Sequence, residues 1–417
     1  MHFFKSIVPQ QVKNIYHLAQ AILAMVWYGF PSKKLKIIGV TGTDGKTTTT
    51  QLITRIFEEA GHKVAMASTI NFKIGDKEWV NTSKHTTLGS FATQKFLKQA
   101  AEEKCDIVIL EVASHALDQY RVWGIGYAVA VITNVTREHL DYHRTMDRYR
   151  RAKRRLFDYA KVAVVNLDME NPDQFLRGKY EKKITYSVRE TSAQVLAHNI
   201  HLQLDTSTFE VDNQLFELAI PGMFNIENAL AAISVGISQG IDLAVMAQAL
   251  KKVTGVSGRM EKIANVQGIE ILIDYAVTPN ALEKLYDLVS QMKPKKDSKI
   301  IAVFGACGER DRGKRPIMGE IVSSYADVVI LTNEDPYHEN PHRIVNEIAK
   351  GITGKKRGKN YFHIMNRRKA IARALKLAQE GDIIVITGKG AEEIMVIGEQ
   401  RIPWNDKRAI EELLLSA

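Results

Sequence analysis

Thr41-Gly42-Thr43-Asp44-Gly45-Lys46-Thr47-Thr48 gathers the groups that hold a polyphosphate into one short stretch. Glycines let the backbone curl until amide hydrogens face phosphate oxygens. Lys46 brings a point charge for the terminal phosphates, and Thr47 brings a hydroxyl for Mg²⁺. The spacing departs from G-x-x-x-x-G-K-[ST] at one place, because Val40 stands where the first glycine would be. A plain structural turn needs the same glycines. The apolar strand before the loop, Leu35 to Val40, and the helical spacing after it, Thr47 to Ala60, favour nucleotide binding over a turn.

A metal beside phosphate needs negative charge. Glu111 closes the apolar run Ile107 to Leu110 and opens Glu111-Val112-Ala113-Ser114-His115, which puts a carboxylate at a sheet edge. A second polar run, Asn134 to His143, follows another strand and contains His139. Carboxylate and imidazole suit Mg²⁺ or Mn²⁺, with Mg²⁺ keeping several waters. Taken alone, His139 reads as readily as a surface or capping histidine.

The elements that must position these groups alternate. Strands are expected at Val64–Ala67, Ile107–Leu110, Ala128–Thr133 and Val162–Val165, with helical stretches between them, so the first sheet is mostly parallel. A more β-like stretch spans His201–Ile220, and a helix is expected over Ile226–Gln239. Alternation restarts after Gly258-Arg259-Met260, with strands at Ile269–Ile273, Ile300–Phe304, Val328–Leu331 and Ile383–Thr387 and helices over Pro279–Met292 and Met318–Tyr325. The expected class is α/β: a short helical lead (1–34), a P-loop domain (35–260) and a Rossmann-like domain (261–417).

Composition sets bounds around this. The 417 residues exceed one ordinary core, and 45% hydrophobic with 25% charged is that of a soluble globular enzyme. A net charge of +10 favours anionic ligands. The basic runs Arg148–Arg155 and Lys355–Lys359 carry no aromatic interleaving, so nucleic-acid binding is not expected. Cys105 and Cys307 belong to no paired motif and point to a reducing cytoplasm. Ile15–Phe30 is apolar but holds His17 and Gln20, which fits neither a signal peptide nor a membrane span of ~20 apolar residues.

The ordered set of motifs resembles the Mur ligase family, closest to its tripeptide-synthetase branch. It comprises Thr41–Thr48, Glu111–His115, Asn134–His143, Tyr149–Lys153, Gly222–Asn228, Gly258–Glu261, Asp274–Ala276, Phe304–Pro316 and Gly388–Gly390. The resemblance implies a cytoplasmic ligase of cell-wall peptidoglycan synthesis that forms ADP, activates a carboxylate as an acyl phosphate and joins it to an amino acid. Carried over, Gly42, Thr43, Asp44, Gly45, Lys46 and Thr48 cradle ATP, while Thr47 and Glu111 serve Mg²⁺ and His139 a second Mg²⁺. Lys153 matches a lysine that the family carbamylates, which turns a cation into a metal-binding anion; the bland reading is a helix-face lysine. Asn225, Arg259 and Asp274 match nucleotide contacts, and Ser114 and His115 sit beside substrate in the family.

This sequence also departs from the family. The phosphate loop begins near residue 41, and 34 preceding residues fall below the ~40 at which an unstapled domain folds, so reliance on uridine is expected to be reduced. Glu334-Asp335-Pro336-Tyr337 replaces Asp-Asn-Pro-Arg, which removes an arginine for a distal carboxylate and disfavours diaminopimelate. Asp335 and Glu339 suggest a cationic amine such as lysine, or simply a solvated acidic loop. Val277 and Ala391 stand where histidines are usual, and Glu392 is retained. A muramyl-peptide ligase is the leading expectation, ahead of a ligase for another acidic or lipid-linked acceptor and a silent ATP-binding protein. In the lead, Ile15, Leu18, Ala19, Ile22, Leu23, Val26 and Trp27 share a helical face flanked by Lys5, Lys13, Lys33, Lys34 and Lys36. Packing of that face on the P-loop domain is expected first, and peripheral membrane or partner contact second.

Overall fold

The computed structural model describes residues 10–203 and 205–416, which form two compact units. The first takes the chain up to Val135 and from Thr145 to Thr254; the second takes Thr136–Arg144 and everything described from Gly255 onward. Lys5 and the start of the lead lie outside the described residues.

In the first unit, helix α1 (Gln10–Trp27) and a 3-10 turn (Pro31–Lys34) precede β1 (Lys36–Thr41) and α2 (Lys46–Glu59). Then come β2 (Val64–Ala67), β3 (Asn71–Ile74), β4 (Lys77–Val80), α3 (Ser90–Glu102), β5 (Ile107–Glu111) and α4 (Ser114–Asp118). β6 (Tyr127–Ile132), α5 (Met146–Arg154), β7 (Ala160–Asn166), β8 (Lys182–Ser187) and β9 (Val195–Leu196) complete a sheet of order β4-β3-β2-β5-β1-β6-β7-β8-β9. Only the hairpin end, β2 to β4, is antiparallel. A small antiparallel sheet, β10 (His198–Leu202), β11 (Ser207–Val211) and β12 (Gln214–Leu218), leads into helix α6 (Met223–Ser238).

β1 is buried on both faces, which is why it reads as a continuous apolar run. Alternate residues feed two cores: Ile38 and Val40 pack with Ile53, Phe57 and Ile226, while Ile37 packs with Val108, Leu110 and Ile132. Helix α6 is buried around almost its whole circumference and packs on α2, so the phosphate-loop helix is held between sheet and helix.

The second unit has a sheet of order β13 (Glu261–Lys262), β14 (Glu270–Asp274), β18 (Ile383–Thr387), β15 (Ile300–Phe304), β16 (Val328–Leu331) and β17 (Tyr361–His363), parallel except at β13. Helices α7 (Pro279–Gln291), α8 (Lys314–Tyr325), α9 (Pro341–Ala349), α10 (Arg367–Leu377) and α11 (Asp406–Leu415) accompany it, with a hairpin of β19 (Ile394–Ile397) and β20 (Gln400–Pro403). The expected strands and helices fall on observed ones within a few residues; helix α8 starts earlier than its expected Met318. The β3–β4 hairpin, β8, β17 and the β19–β20 hairpin carry weak apolar patterns and were not expected.

The lead corrects an expectation. Helix α1 does pack on α3, but through Ala21, Ala24 and Met25, with Asn14 donating to Asp118 Oδ2 at 3.5 Å. Of the stripe expected to be buried, Ile15, Ala19, Ile22, Leu23, Val26 and Trp27 are exposed. Small residues win the contact because they let two helix backbones approach closely.

Candidate active site

The phosphate loop is built by tertiary contacts as much as by its own glycines. Gly42 stands at φ 156 with a would-be Cβ 1.8 Å from Thr133 Oγ1, so no side chain fits there. Thr133 Oγ1 donates to the Asp44 carbonyl at 2.6 Å, the Asp44 amide donates to Asn134 Oδ1 at 2.9 Å, and the Thr43 amide donates to the Asn134 carbonyl at 2.9 Å. These bonds pin the loop to the end of β6. Gly45 caps α2 at φ 80, and a Cβ there would lie 2.1 Å from Asn228 Oδ1 of α6. Lys46 begins α2 and its Nζ donates to the Thr43 carbonyl at 2.8 Å, curling over the loop at a helix N-terminus suited to anions. Thr48 is buried one turn in.

Below the loop, Glu111 ends β5 at 2% exposure. Its carboxylate accepts from the Thr69 amide at 2.7 Å, Thr69 Oγ1 at 2.8 Å and Thr47 Oγ1 at 3.1 Å. No ion pair neutralises it among the described residues, although a buried carboxylate is costly without a cation. Thr47, Thr69 and Glu111 form a hard oxygen set of the kind Mg²⁺ takes when one or two carboxylates share it with substrate phosphates and water. The residues present therefore fit that ion.

Lys153 on α5 is buried at 1% exposure; its Nζ donates to the Gly42 carbonyl at 2.5 Å and lies 4.5 Å from the centre of the Tyr149 ring. Tyr149 OH in turn meets Thr43 Oγ1 at 3.1 Å. Ser114 is buried at the start of α4 and His115 is half-buried beside it. Asn225 donates to the Pro221 carbonyl at 2.8 Å and receives Asn228 Nδ2 at 3.4 Å, inside α6 rather than at its cap, which is Gly222.

His139 belongs to the second unit, in the segment Thr136–Arg144, where it takes φ 57 at the start of the short turn Leu140–His143. That segment is fastened there by Glu138, whose Oε1 accepts from Lys314 Nζ at 2.7 Å with both side chains buried. In the same unit Arg259 lies 4.3 Å from the centre of the Tyr275 ring. Asp274, at the end of β14, accepts from the Met260 amide at 2.8 Å and the Ala276 amide at 2.7 Å. The nearby Glu392 carboxylate, then burial, hold the Tyr275 phenol well above its usual range.

The acidic loop is not solvated. Asp335 is buried and takes Lys389 Nζ at 3.0 Å, and Lys389 also donates to Glu392 Oε2 at 2.6 Å. Glu339 is taken by Arg315 at 2.7 Å. The acids that suggested a cationic amine are thus matched by this chain's own cations. Burial raises Glu334, which accepts from Cys307 Sγ at 2.9 Å. Tyr337 stands at φ 50, with the Arg310 guanidinium 5.6 Å from its ring centre. Thr69, Thr133, Asn134, Tyr149 and Asn228 were not singled out from the sequence. All but Thr69 and Thr133 lie inside the matched motifs, and Thr69 has no sequence signal.

A strand, a glycine loop and a helix N-terminus above a buried carboxylate define a P-loop nucleotide-binding enzyme. The Mur ligase middle-domain profile matches residues 40–236, and that of the Mur ligase, glutamate ligase domain matches 258–390. A UDP-N-acetylmuramoyl-L-alanyl-D-glutamate–2,6-diaminopimelate ligase of Syntrophomonas wolfei is 39% identical over 95% of this chain and 81% of its own. A UDP-N-acetylmuramyl-tripeptide synthetase of Roseiflexus is 40% identical over 95% and 82%. A solved diaminopimelate ligase aligns with TM-score 0.61 at 34% identity, over 92% of this chain and 78% of its own. For the fold alone, Mycobacterium tuberculosis folylpolyglutamate synthase aligns with TM-score 0.72 at 16% identity, over 90% and 96%. The chain belongs to the Mur ligase family of ATP-dependent, ADP-forming amide ligases.

Proposed function

We propose that this protein adds an amino acid to a muramyl-peptide acceptor in the cytoplasm, with ATP converted to ADP and phosphate. The observation that carries the reading is the uncompensated Glu111 carboxylate held against Thr47 beneath the Lys46 loop. An oxygen of the acceptor carboxylate attacks the γ-phosphorus and ADP leaves. The amine nitrogen then attacks the acyl carbon, phosphate departs with the acyl oxygen, and the amine proton passes to solvent. Thr47 and Glu111 would hold Mg²⁺, which would supply charge neutralisation on the phosphoryl oxygens, and His139 is the residue assigned to a second ion. Lys46 and the loop amides hold the terminal phosphates in place.

Asn225, Arg259 and Asp274 serve the nucleotide, Ser114 and His115 the acceptor, and Glu334, Asp335, Tyr337 and Glu392 the amino-acid side. In these terms the chain divides into a lead at 1–34, a P-loop domain at 35–260 and a C-terminal domain at 261–417. Lys153 acts as its carbamate: the amine adds to CO₂, loses a proton and becomes an anion beside the loop. After labelled bicarbonate the parent should show a carbon-13 carbamate signal that Lys153→Ala lacks; a parent with no such signal, or with the same signal intensity as the variant, would exclude this role. Tyr337 where diaminopimelate ligases carry arginine favours an amino acid without a distal carboxylate.

The test incubates the protein with ATP, Mg²⁺, UDP-linked and UDP-free muramyl peptides, and a panel of amino acids, with products identified by mass spectrometry. The expected product is acceptor plus amino acid less one water, with one ADP formed per bond. Phosphate release with no amide from any pair overturns the reading. The UDP-free arm separates it from the second one, a ligase for a non-UDP or lipid-linked acceptor.

A further inference from the structure

Helix α1 buries one side and leaves the other apolar side uncovered. The packed positions follow helical spacing, with Ala21, Ala24 and Met25 against α3 and the Gly124 loop, where a Cβ on Gly124 would lie 2.2 Å from Met25 Sδ. The open side follows the same spacing: Val12, Ile15, Tyr16, Leu23, Val26 and Trp27. Ile15 is 69% exposed, Leu23 62% and Trp27 78%. Single exposed apolar residues are ordinary, but a continuous stripe along a whole helix marks an interaction surface.

The charges around the stripe select its occupant. From the N-terminus to Lys36 the sequence holds no Asp or Glu, and Lys13, Lys33, Lys34 and Lys36 stand at the two ends of the stripe. Lys33, Lys34 and Lys36 are exposed, and Lys33 Nζ lies 4.9 Å from the centre of the Phe30 ring. Two copies meeting through this face would bring lysine ends onto lysine ends with no acid on the helix to offset them. An anionic bilayer answers both features, with acyl chains for the stripe and headgroups for the lysines, and Tyr16 and Trp27 are side chains that favour the boundary between them. No described helix is long and apolar enough to cross a membrane, so the geometry is one of lying on the surface.

We propose that α1 docks the first unit on an anionic lipid surface through its Val12–Trp27 stripe and flanking lysines. This inference stands apart from the ligase chemistry and is tested separately from it. The full chain is floated with vesicles of phosphatidylcholine alone and of phosphatidylcholine with phosphatidylglycerol. The expected result is at least tenfold stronger partition to the anionic vesicles, reduced by salt. Ile15→Glu with Leu23→Glu should lower that partition at least tenfold while leaving the melting temperature and ATP turnover unchanged, because neither side chain is packed. Lys33→Glu with Lys34→Glu should erase the preference for anionic lipid. Absence of binding to the anionic vesicles, or equal binding by the Ile15/Leu23 variant, overturns the proposal. A dimer in sedimentation velocity that the same variant abolishes also overturns it and assigns the stripe to a second copy.

Discussion

Glu111 is a buried carboxylate with no ion-pair partner among the described residues. Three protein donors meet its carboxylate, each worth roughly 1.5–3 kcal/mol as a charge-assisted bond, and these offset part of its desolvation without neutralising it. Glu111→Gln keeps the shape, loses the charge and turns an amide NH₂ toward one donor. The two changes act on stability in opposite directions, so the fold should shift by no more than about 2 kcal/mol. Ligation, in contrast, should fall at least a hundredfold, since a metal–phosphate complex needs the anion. Thermal melts with steady-state assays over a Mg²⁺ series check this, and parent-like turnover at low Mg²⁺ would remove Glu111 from the role.

At the scale of elements, the β1–loop–α2 unit works because α6 reaches it. Asn228 fills the space beside Gly45, and Thr49 Oγ1 donates to the same Asn228 oxygen at 3.4 Å. Gly45→Ala therefore meets two penalties, a left-handed backbone costing roughly 1–2 kcal/mol and a collision with Asn228. Gly29, at φ 70 with nothing within 4 Å of its would-be Cβ, meets only the first. The expected outcome is that Gly45→Ala loses nucleotide binding more than tenfold and destabilises the fold more than Gly29→Ala, which binds normally. Nucleotide titration and denaturant midpoints on the pair decide it; equal behaviour of the two variants would mean the loop tolerates displacement of Asn228.

At the scale of the whole molecule, the two units have separate cores, and the second contains carboxylates held down by guanidinium groups. In the second unit the buried Arg315 guanidinium holds Glu339 down to about 2, and the Arg315 and Arg312 guanidiniums also lower Glu347 against the opposing effect of burial. A carboxylate depressed on folding stabilises above its unfolded pKa, and that contribution fades as pH falls through the folded one. For Glu339 the window runs from about 4.5 down to about 2 and the contribution is on the order of 2 kcal/mol. Stability of the second unit should thus drop across that window, followed by the fluorescence of Trp404 with the other tryptophans replaced by phenylalanine. Glu339→Gln should start lower at neutral pH and show a shallower acid slope; an unchanged slope would place the acid sensitivity elsewhere.

The sequence by itself determined the parts whose physics is local. Runs such as Ile37 to Val40 and Ile300 to Phe304 declare buried strands, the Gly42–Thr48 chemistry declares a phosphate loop, and the ordered motifs declare the family, because each is encoded in neighbouring residues. Tertiary structure decided what rests on distant partners. Thr43 meets Tyr149 across 106 positions and Thr49 meets Asn228 across 179, which no spacing rule reveals. Asp335 reads from sequence as an acid for a cationic amine or as a solvated one, and in the fold it is held by Lys389, 54 positions away. The lead's apolar stripe pointed toward a core in sequence and toward solvent in the fold. Periodicity fixes which residues share a helix face, but only the shape of the neighbouring surface selects the face that is buried, and here close approach through Ala21 and Ala24 prevailed over the larger side chains.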